Sequence, residues 1–225
     1  MREYKLVRSK RKTIAIHILE GLVEVRAPMK TPKRVIDEFV ASKEKWIADK
    51  LLLSLEQGAR RETFSLTYGD KALYRGREYP IVARPGNGAG FDGETFYLPP
   101  GLTPPQIKAV CIWIYRLLAK DYLTERTADF ARRMGVWPSK IRISDANSRW
   151  GSCSAKGSIN LSWRLMMADD AVIDYVAVHE LAHLKELNHS GRFWAEVEDV
   201  LPDWRERKQA LRELQKRLVA QDWTR

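Results

Sequence analysis

The segment Val178–Ser190, VHELAHLKELNHS, gathers the residues of this chain best suited to holding a metal ion. His179, His183 and His189 are three of the four histidines; the fourth is His17. In a helix of about 3.6 residues per turn, His179 and His183 lie on one face, so two imidazole nitrogens can approach one ion. Glu180 borders that face. It is too close in sequence to be the easy third ligand, but well placed to reach a water on the ion. Zinc suits imidazole donors, and three protein ligands leave a position open for that water. A glutamate directly after the first ligand is what metal-assisted hydrolysis needs as a general base.

His189 can join only if the helix stops. In a continuous helix it would lie on the far side from His183, so the chain must turn back between about Leu184 and Asn188. Asn188 accepts a left-handed backbone more readily than most residues and is the expected hinge. Glu196 and Glu198, on the next helix, are the alternative third ligands. A closed structural zinc site would want a fourth ligand, for which Cys153 is the nearby candidate. Phe193 and Trp194 read as core.

The elements that must position these groups can be traced outward. Val172, Ile173, Val176, Leu181, Leu184 and Leu187 recur at helical spacing behind an N-cap at Asp169 or Asp170. Residues 140–144 (KIRIS) and 158–163 (SINLSW) read as strands, with DANSRWGSCSAKG between them as a polar loop. Asn147 and Arg149 in that loop are candidates to stabilise an oxyanion, or else to order the loop by hydrogen bonding. Asn160 alternates with Ile159, Leu161 and Trp163. If its strand is an edge, it can hold an extended peptide by main-chain pairing.

Further upstream, Thr103-Pro104-Pro105 starts a long helix that ends near Met134, with Gly135 as its left-handed stop. Residues 13–27 alternate as a hairpin with Glu20-Gly21 at its tip, a helix follows from about Pro32 to Leu55, and short strands fill 62–100. The reading is an α+β chain in two parts: residues 1–100, a β-rich module with a helix near 32–55, and residues 101–225, the metal-binding region.

Composition narrows the setting. With 225 residues and 44% apolar content, the chain can bury a substantial core. The longest apolar run, between Lys108 and Arg116, is far too short to span a bilayer, and the charged first residues, with no apolar stretch behind them, lead us to expect no secretory signal. Two cysteines, Cys111 and Cys153, cannot form a disulfide framework, so a cytoplasmic setting is expected. The formal charge is +10, dense at Arg8–Lys12 and along the last helix, where it serves either solubility or a polyanion such as nucleic acid.

VHELAHLKELNHSGRFW together with RWGSCSAKGSINLSWRL resembles the YgjP-like metallopeptidases, a branch of the zincins. RSKRKTIAIHI, VRAPMKTPKRVIDEFVASKEKWI and LPDWRERKQAL extend the resemblance over most of the chain. It implies a zincin-like catalytic region, an active-site helix packed on a small mixed or antiparallel sheet, with zinc on His179, His183 and His189 and Glu180 as general base. The histidine spacing is also that of the metzincins, which usually carry glycine where this chain has Glu186, so the turn must be built differently. The expected function is a zinc-dependent peptidase acting on polypeptide. The alternatives are a metal-dependent hydrolase of another bond, such as a nucleotide phosphoanhydride, or a basic nucleic-acid-associated module with protease activity.

Overall fold

The computed structural model describes residues 3–19 and 21–223. Glu20, expected at the tip of the first hairpin, lies outside them. The chain folds into two compact units. One runs to Phe64 and takes in Leu218–Asp222; the other runs from Ser65 to Arg217 and takes in Trp223.

The first unit holds β1 (Lys5–Ser9), β2 (Ala15–Leu19) and β3 (Leu22–Pro28), then α1 (Lys33–Ser42) and α2 (Glu44–Thr63). β3 is central, antiparallel to β2 as the hairpin reading expects and parallel to β1. Val23, Val25 and Ala27 pack against Ile36, Val40 and Ile47. The single helix expected near 32–55 is two helices. At Lys43 the backbone leaves helical geometry (φ −111°, ψ 13°), and the Ser42 hydroxyl donates to the Phe39 carbonyl at 2.7 Å, a local bond that competes with helix continuation. α2 then outlasts its apolar periodicity, because Glu56–Thr63 is rich in straight-chain helix formers. Arg8 is fixed by this unit's own backbone. Its guanidinium donates to the carbonyls of Pro28, Met29 and Thr31 at 3.1, 2.9 and 2.8 Å.

The second unit opens with β4 (Lys71–Tyr74), β5 (Arg77–Ala83), β6 (Gly90–Phe91) and β7 (Phe96–Leu98), ordered β4-β5-β7-β6. The sequence reading grouped these strands with the N-terminal module, whereas their core partners lie downstream. Phe96 meets Tyr115 at 5.3 Å, Tyr115 stacks on Trp163 at 5.6 Å, and the Tyr115 hydroxyl donates to the Leu73 carbonyl at 2.7 Å. Tyr115 belongs to α3 (Pro104–Met134). Its start is closed by the Thr103 N–H donating to the Gln106 side chain at 2.8 Å, and Gly135 ends it at φ 63°.

β8 (Lys140–Ser144), β9 (Gly151–Cys153) and β10 (Ser158–Ser162) form the sheet beside the histidines, in the order β8-β10-β9. Two expectations change here. The segment read as all loop contains strand β9, and β10 is the central strand rather than an edge, parallel to β8 and antiparallel to β9. Polar residues and glycine masked β9, since three residues leave no alternation to detect. α4 (Asp170–Ala182) packs on this small mixed sheet, followed by α5 (Gly191–Val200) and α6 (Trp204–Leu218). The α+β class and the helix-on-sheet arrangement are as expected. Among the described residues no helix is long and apolar enough to cross a membrane.

Candidate metal centre

α4 reaches the site because its first turn is secured. Asp169 is the N-cap, accepting from the Val172 N–H at 2.8 Å. The apolar residues behind it, Val172, Ile173, Val176 and Leu181, are all buried. The helix ends at Ala182, two residues before the expected limit, with His183 as its C-cap.

The turn that delivers His189 is built without a left-handed residue. Asn188 has negative φ; Arg75 is the one described non-glycine residue with positive φ. Instead, the Lys185 and Glu186 N–H groups close back on the Ala182 carbonyl at 3.0 and 2.9 Å. The Asn188 side chain accepts from the Ser190 N–H at 3.2 Å, and Ser190 caps α5 by accepting from the Phe193 N–H at 3.4 Å. Local side-chain bonds thus do the work for which a backbone hinge was expected.

The three imidazoles converge. One nitrogen from each of His179, His183 and His189 lies within 4.8 Å of the others, and Nε2 of His179 stands 3.1 Å from Nε2 of His189. Zinc–nitrogen bonds of about 2.0–2.1 Å in tetrahedral geometry place ligand nitrogens roughly 3.3 Å apart, so the cluster fits that ion. His183 Nδ1 is 3.1 Å from the Glu186 carbonyl. A carbonyl only accepts, so Nδ1 carries a proton, and in the neutral ring Nε2 is then the nitrogen with the lone pair. The position occupied by glycine in metzincins therefore orients the His183 ring here through its main chain.

Phe193 is fully buried and forms a common wall, its ring 4.9, 4.6 and 4.7 Å from those of His179, His183 and His189. Burial, then the neighbouring His183 and His189, pushes the His179 imidazolium down to about 3, so at neutral pH the ring is in its ligating form. Glu196 and Glu198, the alternative third ligands, pair with Lys185 and Arg205, each at 2.7 Å. Cys153 is a half-buried thiol on β9 outside the histidine cluster.

Glu180 is only 6% exposed. Burial raises its carboxyl to about 7, against the lowering effects of Arg149 and of a hydrogen bond from the Cys153 N–H. It lies directly on β9: a Cβ on Gly151 would stand 2.6 Å from the Glu180 Cγ and Oε1. Gly151 is thus a residue that pattern reading missed. The only signal for it is the glycine of RWGSC, which looks like ordinary loop punctuation.

The expected substrate residues separate. Arg149 is exposed, with its charge felt by Glu180; Asn147 is exposed in the same loop; the Asn160 amide donates to the Ser152 hydroxyl at 3.4 Å across the β9–β10 ladder.

A family model described as YgjP-like, metallopeptidase domain matches residues 12–214. Among solved structures, the metallopeptidase zymogen of Pyrococcus abyssi abylysin is similar at 28% identity and a TM-score of 0.38, covering 43% of this chain and 94% of that one. The metallopeptidase zymogen of Methanocaldococcus jannaschii jannalysin is similar at 22% identity and a TM-score of 0.36, covering 42% and 95%. No curated protein matches the chain.

Proposed function

The chain belongs to the YgjP-like metallopeptidase family, and from that membership we propose that it is a zinc peptidase in which His179, His183 and His189 hold the ion and Glu180 is the general base. The observation that carries this reading is the convergence of three imidazoles beside a buried carboxyl. Zinc bound there supplies a Lewis acid for the peptide carbonyl and makes water acidic enough to attack at neutral pH. Glu180 takes the proton from the attacking water and returns it to the leaving amine nitrogen. Gly151 and the Cys153 N–H hold that carboxylate in place.

Arg149 is the residue we favour for stabilising the developing oxyanion, since its charge already acts across the site on Glu180. The bond from Asn160 to Ser152 supports an ordering role within the sheet rather than substrate contact, and Asn147 remains the second candidate from the loop. With β10 central, β9 is the edge strand beside α4, which supports pairing of an extended substrate there.

The phosphoanhydride alternative loses ground to the donor set, because magnesium sites normally use carboxylates whereas this cluster is all imidazole. The nucleic-acid alternative keeps its basic residues, although Arg8 is already committed to three carbonyls. Zinc removal and restoration, followed on unfolded casein and on nucleoside triphosphates, tests the reading. Peptide-bond cleavage that stops with chelation and returns with zinc is expected. Phosphate release without peptide cleavage would overturn it.

A further inference from the structure

Two carboxylates of α5 are engaged, Glu196 by Lys185 and Glu198 by Arg205. Lys208 on α6 is different. It is half-buried and makes no ion pair or hydrogen bond among the described residues. Its ammonium lies over two stacked indoles, 4.5 Å from the centroid of Trp194 and 5.5 Å from that of Trp204. Trp194 in turn stacks on His189 at 5.8 Å and stands 5.8 Å from His179. The charge of Lys208 reaches both imidazoles and disfavours their protonation.

Arg212 follows one turn along the same face of α6. It too has no ion pair among the described residues, and its charge acts on Lys208 and on Tyr175, whose ring lies 5.8 Å from His179. A partly buried ammonium is ordinarily paired with an anion. Aromatic faces offset part of its desolvation cost but leave its charge in place. A divalent ion on the histidines adds more positive charge to the same corner. Neither Lys208 nor Arg212 has an anionic partner among the described residues, and the anionic groups that a polypeptide offers are carboxylates.

We propose that Lys208 and Arg212 form a cationic subsite beside the three histidines that binds a carboxylate of the peptide substrate, either its C-terminal carboxylate or an acidic side chain near the bond cleaved. This rests on the peptidase reading. The subsite makes the enzyme selective for peptides that place a negative charge at a fixed distance from the scissile carbonyl. Charge-assisted hydrogen bonds to Lys and Arg then supply the discrimination.

Calorimetry on the zinc-loaded full chain carrying Glu180→Gln separates binding from turnover. The probes are an acetylated pentapeptide as free acid and as amide, and the amide with Asp or Asn at its centre. At least one carboxylate form is expected to bind about tenfold or more tighter than its neutral twin, with an advantage that shrinks as salt rises. Adding Lys208→Met, which keeps an unbranched apolar stem over Trp194, is expected to erase that advantage, and Arg212→Gln, at an exposed site, to reduce it. The twin that shows the preference identifies the source of the carboxylate. Equal binding of the twins, an advantage that survives both substitutions, or no binding of any probe would overturn the proposal. Cleavage of the amide peptide by the wild-type enzyme, assayed alongside, distinguishes those results from failure of the peptidase reading.

Discussion

The two ends of α4 treat polar side chains in opposite ways. In the first turns every carboxylate is answered: Asp169 caps the helix, Asp170 takes the Arg75 guanidinium and the Tyr122 hydroxyl, and Asp174 accepts two bonds from Arg126 at 2.6 and 2.8 Å. In the last turn His179 Nδ1 is buried with no hydrogen-bond partner among the described residues, and Glu180 is a buried carboxyl raised to about 7. Folding alone favours the first pattern, because an unsatisfied buried polar group costs stability. Perturbed groups of the second kind cluster at functional sites, and on the proposed reading one helix carries both a structural end and a reactive end.

That contrast predicts opposite responses to substitution. The largest effect belongs to Glu180→Gln, for which kcat on an unstructured peptide is expected to fall about 10²–10⁴-fold at equal zinc content. The thermal midpoint of the metal-free protein is expected not to fall, since an amide replaces a carboxyl that burial disfavours. A parallel loss of stability would make Glu180 a structural residue like Asp174. Next is Gly151→Ala, whose Cβ must displace the Glu180 side chain. It is expected to lower kcat roughly 10–100-fold, as for a misplaced catalytic group, while a metal assay shows zinc retained.

At the other end Asp169→Ala removes the cap and is expected to cost about 1 kcal/mol in denaturant unfolding. Hydrolysis per folded molecule should stay unchanged; a rate loss comparable to that of Gly151→Ala would dissolve the distinction between the ends. The smallest effect concerns pH. Arg75, and then the Tyr122 hydroxyl, hold the Asp170 carboxyl below its ordinary value of 3.8. Its contribution is therefore present above that value and is lost as pH falls through it toward the lower folded value. Both side chains are over a third exposed, so screening holds the contribution under about 1 kcal/mol. Denaturant midpoints compared near pH 5 and near pH 2.5 should show that Arg75→Gln removes this part of the acid sensitivity.

The same division explains what was legible in the sequence. His179, Glu180 and His183 could be placed because helical spacing is a local rule, and the caps at Asp169, Thr103 and Gly135 likewise involve residues within a turn of one another. The convergence of His189 was legible as a requirement, but the means was not: a carbonyl at Glu186 and a side-chain turn at Asn188 stand where a left-handed hinge was expected. What escaped altogether depends on long-range pairing. β9 is too short to show a period, the central place of β10 follows from its pairing on both sides, and the fit of Gly151 against Glu180 exists only once strand and helix meet. Lys208 reads as one more basic residue of a charged helix until Trp194 and Trp204 lie beneath it.

The central claim, a zinc ion on three imidazoles, is tested most directly by X-ray absorption at the zinc edge of the loaded protein. The structure predicts about one zinc per chain with three histidine nitrogens at about 2.0–2.1 Å and one oxygen, and loss of one nitrogen in His189→Ala. A spectrum with two imidazoles and a carboxylate, or one that His189→Ala leaves unchanged, would contradict it.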